Sequence, residues 1–340
     1  MKEASVIDDQ RPGTIYWIDH YVVGSDDLDR WGEFMEKVIG AQPQGHGGRP
    51  GGRILFQDLT SCCHHGAMFS DPPLPPSAGL GKGLPRHGLF IRQEDIDEHL
   101  RRLDQHKVPH LDPVRTSAEG DDGISIAWED PDGNQFEFWA PDHLPDGAVT
   151  EMTPVKVGRI SHGVYECQDL QRAADHFAKY CALEPMQSAD IPSDTLVLPL
   201  VGGARIVYKK VDSFGQRTGG FGVLHAAHAA LVMRDEDFFP AYDRMWAGVG
   251  EWQYDPEKHG FVDSGPELPA RTSRHGSPGG IQWFELRGRG DDWYDWDTNC
   301  FHFMGGGPRD GSLVRYEPHT MDYHFPAYVK EHGASRSPSA

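Results

Sequence analysis

His20, His87 and Glu137 are two imidazoles and one carboxylate, the donor types that hold a divalent cation on one face and leave its remaining positions open. Between the first two lies the run Cys62-Cys63-His64-His65-Gly66-Ala67-Met68-Phe69. Its His65 is an imidazole suited to accepting and returning protons near neutral pH. The chain carries 19 His, so no single one is informative. What singles these out is that each falls in a copy of one repeating pattern.

The elements that must position them read as follows. Residues 14–23 are rich in aromatic and β-branched types and spell a strand. Ser25 is placed to cap a helix with Leu28, Trp31, Phe34, Met35 and Val38 at helical spacing and Gly40 as its stop. Strand-like runs follow at 53–57 and 66–69. The pattern restarts at His87-Gly88-Leu89-Phe90-Ile91, with a helix over 94–103 and strands at 124–128 and 135–139 joined by the turn Asp130-Pro131-Asp132-Gly133-Asn134. A third copy opens at 159–165, with a helix over 169–183 and strands at 195–200 and 205–208. A fourth opens at His228, with a helix over 237–246 and a last strand at 311–316. The opening histidines His20, His87, His162 and His228 are 67, 75 and 66 residues apart, a period that marks one supersecondary unit used four times. Residues 248–297 are rich in Gly, Pro and Trp and read as a long insertion, 71–84 as a Pro/Gly linker, and the tail from about 331 as disordered.

Bulk properties narrow the classes. With 340 residues the chain has the length of about two domains. The net charge of -20 disfavours nucleic acid and anionic membrane surfaces as partners. No stretch approaches the roughly 18 apolar residues of a membrane span, and residues 1–9 lack the apolar core of a signal peptide, so a cytoplasmic location is expected. The five Cys include the adjacent pair Cys62 and Cys63, which suggests neither a disulfide framework nor a thiolate metal site.

A tandem strand-helix-three-strand unit, with His on an opening strand and Asp130-Pro131-Asp132-Gly133-Asn134-Gln135-Phe136-Glu137 at the end, resembles the vicinal oxygen chelate superfamily. That superfamily spans glyoxalases, antibiotic-resistance proteins and type I extradiol ring-cleaving dioxygenases. The resemblance implies an α+β fold of four tandem βαβββ units forming two open-barrel domains. These are an N-terminal, metal-bearing domain over 12–142 and a C-terminal domain over 155–325 that contains the insertion. Within the superfamily, the ring-cleaving dioxygenases draw one His from a first unit and a His and a Glu from a second. His20, His87 and Glu137 are similar in placement, and His64-His65 looks like the histidine pair of that class, with His65 at the acid/base position. The C-terminal half keeps His162 and His228 but has Arg315 at the carboxylate position, with Glu317 two residues on. The tyrosine position of that class is Ala127 here, and Tyr323 in the tail is a candidate replacement.

The resemblance thus implies an Fe(II)-dependent dioxygenase, with Mn(II) equally compatible, that cleaves a catechol-like aromatic diol with dioxygen and forms a homo-oligomer. Two other readings stay open: a different divalent-metal isomerase or hydrolase of the same superfamily, and a binding protein for a small aromatic ligand.

Overall fold

In the computed structural model the described residues are 15–46, 54–60, 63–70, 74, 76–117, 120–149, 156–167, 169–212, 228–233, 270–273, 283–286 and 300–304. The first run is β1 (Ile15–Ser25), α1 (Leu28–Phe34), β2 (Gln42–His46), β3 (Ile54–Thr60) and β4 (Cys63–Phe69). The second is β5 (Arg86–Phe90), α2 (Ile96–Gln105), β6 (Val114–Thr116), β7 (Gly123–Glu129) and β8 (Gln135–Pro141). Both are complete strand-helix-three-strand runs. The third shows β9 (Ile160–Cys167), α3 (Leu170–Cys181), β10 (Thr195–Pro199) and β11 (Arg205–Lys210). Of the fourth, β12 (His228–Met233), β13 (Ala270–Ser273), β14 (Trp283–Leu286) and β15 (Cys300–Met304) are described. The helix expected over 237–246 and the strand expected over 311–316 lie outside the described residues. So do Cys62, Arg315, Glu317 and Tyr323.

Local chemistry explains where the elements start and stop. Asp27, rather than Ser25, is the N-cap of α1: its carboxylate accepts from the Arg30 backbone N–H at 3.0 Å. Ser25 supports it one step back, its hydroxyl accepting from Asp27 N–H at 3.1 Å. After α1 the chain continues through a wider helical turn over Met35–Ile39 and stops at Gly40, whose φ of 75° is the left-handed conformation glycine tolerates.

The strands form two mixed sheets, and their composition differs from the expected division at about 142–155. One sheet has the order β10-β11-β9-β5-β8-β7-β6 and is drawn from the contiguous middle of the chain; it is called the central sheet below. The other, the terminal sheet, has the order β13-β14-β15-β12-β1-β4-β3-β2 and joins strands from both ends. Units one and two, expected to enclose one cavity together, are thus divided between sheets. Part of the stretch expected as an insertion, β13 and β14, is hydrogen-bonded into the terminal sheet.

Each sheet is built around an antiparallel pair of opening strands: β1 with β12 and β5 with β9. The strands that close the runs pair parallel to the openers: β4 to β1, β8 to β5 and β11 to β9. A single apolar core includes Tyr21, Val23 and Ala67 of the terminal sheet and Leu89, Phe138 and Ile206 of the central sheet, with Trp31 and Leu103 from α1 and α2. One face of each sheet is therefore committed to this shared core. No helix among the described residues is long and apolar enough to cross a membrane.

Candidate functional site

Strand register decides which of the expected ligands meet. In the parallel pair β5/β8, His87 lies opposite Phe136 and Gly88 opposite Glu137. Residues in register share a face and consecutive residues alternate, so His87 and Glu137 leave opposite faces of the central sheet. His87 enters the core, where its ring stacks on Tyr21 at 4.2 Å and 10° and meets the Tyr165 ring edge-on at 5.9 Å. Glu137 leaves on the other face. There its Oε2 is 2.7 Å from Arg86 Nε and 3.4 Å from His162 Nε2.

His20 stands on the other sheet. The structure therefore does not bring His20, His87 and Glu137 together, and among the described residues no three His, Cys, Asp or Glu form a metal-ligand group. His20 is apart because β1 belongs to the other sheet, and His87 and Glu137 are apart because a register of one residue sends a side chain to the opposite face.

The same rule moves the histidine pair. In the parallel pair β1/β4, Tyr21 lies opposite His65 and His20 opposite His64. His65, expected as the acid/base group on the side of the metal, faces the core instead. It is fully buried, its Nδ1 is 2.9 Å from the Tyr21 hydroxyl, and its ring lies 5.1 Å from that of Trp31. Position 64 shares the face of His20.

Burial pushes the His65 imidazole down to about 3 and the His87 imidazole likewise to about 3, the latter also through His162 and His65. Both stay neutral in the folded chain while they take up protons in the unfolded chain below about 6.5. The unfolded state then binds more protons, so stability is full above about pH 6.5 and falls as pH drops toward 3. The loss is roughly 1.4 kcal/mol per pH unit for each histidine. Urea midpoints measured between pH 7 and 4.5 should fall, and fall less in His87→Phe.

On the terminal sheet, the antiparallel pair β1/β12 sets His20 opposite Ala230, Tyr21 opposite Ala229 and Val22 opposite His228. Positions 20 and 228 are thus related by the local two-fold axis through the Tyr21/Ala229 pair. They fall on one face, diagonally across adjacent strands, at a Cβ separation of roughly 7 Å. His20 itself is 6% exposed. Sequence spacing had flagged both residues, but it could not show that the first and fourth units pair.

On the central sheet the site is differently built. Burial alone would raise the Glu137 carboxyl. The Arg86 guanidinium, His162 and the Ser125 hydroxyl outweigh it and hold the group well below the usual carboxylate range. His162 Nδ1 is 3.1 Å from Ser161 Oγ. Gly88, in register with His162, is where a Cβ would sit 2.3 Å from the His162 ring, so the imidazole occupies the space a side chain at 88 would need. Arg86 had no signal in the sequence beyond its place next to His87.

The Asp130–Asn134 turn is the tie between the two sheets. Asp130 accepts from Asp132 N–H at 2.9 Å, Asn134 N–H at 2.8 Å, Asn134 Nδ2 at 2.8 Å and Trp31 Nε1 at 3.1 Å. Asn134 Nδ2 also donates to the Gly24 carbonyl at 2.8 Å. This turn thus fixes the start of α1 and the end of β1, the strand that carries His20.

The fold agrees with comparison to solved structures. Residues 17–138, about a third of the chain, match the model of the Glyoxalase/Bleomycin resistance protein/Dioxygenase superfamily. Among solved structures, a Bacillus subtilis subsp. subtilis str. 168 protein described as a "putative dioxygenase" superposes with a TM-score of 0.60 at 13% identity, over 96% of this chain and 97% of that one. Glyoxalase I from Zea mays superposes with a TM-score of 0.54 at 12% identity, over 85% and 92%. At these identities the likeness is one of fold. No curated protein matches in sequence.

Proposed function

We propose that this protein is an Fe(II)-dependent extradiol dioxygenase, with Mn(II) as an equivalent metal, and that its centre lies on the terminal sheet at His20 and His228. The observation that carries this reading is the β1/β12 register, which relates positions 20 and 228 symmetrically across the two opening strands. The superfamily match over 17–138 supports it. The reading takes the chain as four tandem βαβββ units, the first paired with the fourth and the second with the third. Glu317, two residues after Arg315 in the sequence, is the candidate carboxylate donor. His64, in register with His20, replaces His65 as the group that moves protons at the substrate.

A metal held there supplies charge that lowers the hydroxyl pKa of an aromatic diol and offers open positions to its two oxygens. The chain's own part is to hold the site dry at His20 and to place position 64 beside it.

The test is anaerobic loading with Fe(II), removal of excess metal, and oxygen uptake with a panel of catechols. One dioxygen consumed per diol, with a yellow ring-fission product, is expected. No uptake with any catechol would overturn the reading. Turnover that needs Ni(II), Co(II) or Zn(II) and no oxygen would replace it with an isomerase or hydrolase, and tight binding of an aromatic ligand by metal-stripped protein would replace it with a binding protein.

A further inference from the structure

The central sheet shares with the terminal sheet an antiparallel pair of opening strands, but its opening histidine His87 enters the core, so His162 stands on the outer face without it. Its opening strands β5 and β9 also pair antiparallel, and His162 stands on β9 as His228 stands on β12. Its closing strand β8 adds the carboxylate of Glu137 on the same face, 3.4 Å from His162 Nε2. A buried carboxylate and an imidazole aimed at each other are two donors of a divalent-metal site. On the same face stands Arg86, two residues before Gly88 on β5, with Nε 2.7 Å from Glu137 Oε2.

We infer that the Arg86 guanidinium occupies the place of a metal ion at the central sheet, so that this second centre is closed to metals by a covalently attached cation. The argument is one of charge. Glu137 is 2% exposed and His162 is fully buried, and a carboxylate taken out of water requires a compensating cation close by. A guanidinium meets that need permanently, cannot lose its proton, and cannot itself ligate a metal. The local geometry is adapted to it. Gly88 leaves room for the His162 ring, which a Cβ at 88 would meet at 2.3 Å. Ser161 Oγ lies 3.1 Å from His162 Nδ1 and leaves Nε2 directed to the carboxylate. The disagreement with the metal set first expected here is therefore a property of the site: it has exchanged a dissociable cation for a fixed one.

Removing the guanidinium should reopen the centre. Arg86→Met in the full chain should bind one more equivalent of Co(II) than the unmodified protein at saturation, measured by equilibrium dialysis. A new visible absorption of the bound ion should accompany it, and Co(II) should raise the Tm of the variant more than that of the unmodified protein. The double variant Arg86→Met/Glu137→Gln removes both charges and should fold without gaining the extra equivalent. Because the count is a difference, it holds whether or not the terminal sheet binds metal. A folded Arg86→Met with no extra Co(II) overturns the inference, and so does a double variant that binds as much as the single one. If Arg86→Met fails to fold even with Co(II) present while the double variant folds, the ion cannot stand where the guanidinium stood, and the inference is equally overturned.

Discussion

On the proposed function, His20→Ala should abolish stoichiometric iron binding and lower kcat/KM by on the order of a thousandfold, about 4 kcal/mol of transition-state stabilisation, while His87→Phe should leave iron content unchanged. The two substitutions separate two placements of the centre that the sequence alone allows. If the metal were held by His20, His87 and Glu137, both variants would lose it. In the structure His87 is 2% exposed, lies in the core stacked on Tyr21, and leaves the central sheet on the face opposite Glu137. A phenylalanine there keeps the ring stack and removes Nδ1, which has no hydrogen-bond partner among the described residues. Its stability should therefore change by less than about 1 kcal/mol or improve. His87→Ala instead opens a cavity beside Tyr21 and costs roughly 2–4 kcal/mol. The measurements are metal content of purified protein, steady-state kinetics after Fe(II) loading, and urea denaturation. Loss of iron in a folded His87→Phe protein would move the centre back to the central sheet. Iron retained at full occupancy in His20→Ala would remove it from the terminal sheet.

Asp130→Ala should be the most destabilising single change in the turn, at about 3–5 kcal/mol. The carboxylate is 4% exposed and accepts from two backbone N–H groups, the Asn134 amide and the Trp31 indole. Deleting it strands these donors inside the fold, where each unsatisfied group costs about 1–3 kcal/mol before relaxation. Asp130→Asn keeps an acceptor oxygen and should recover about half of the loss. Trp31 belongs to α1, and Asn134 reaches the Gly24 carbonyl of β1, so the damage should spread to the strand that carries His20. Urea midpoints give the stability change, and near-ultraviolet circular dichroism reports the indole. A loss under about 1 kcal/mol would show that the turn is held by its backbone alone.

The elements were legible because their signals are local. The opening strands at His87 and His228, the helix with Leu103 on its buried face, and the turn Asp130–Asn134 all fall where periodicity and turn chemistry put them. The superfamily resemblance rested on the same turn and its Glu137, and the model match over 17–138 takes in both. Which side chains converge was not legible, because that depends on register. The spacing of His87 and Glu137 is compatible with either face, and only the pairing of Gly88 with Glu137 separates them. His64 and His65 are adjacent, so an error of one residue exchanges one face of the strand for the other. The partnership of β1 with β12 is more remote still: nothing within either strand names the other. The cap of α1 shows the same limit at short range, since Ser25 and Asp27 are both capping residues and backbone geometry chose Asp27.

The order of the strands makes the chain a nested bracket. The central sheet is complete between residues 86 and 210, while β1 waits for β12, so that Ile15 finds its partner only at Met233. During synthesis the first seventy or so residues must remain without their neighbour on one edge until most of the chain has emerged, a pairing of high contact order and correspondingly slow closure. Cutting the gene in the middle would therefore not release two working halves, since each half would carry one side of both sheets. The two halves should instead recover their fold only when expressed together.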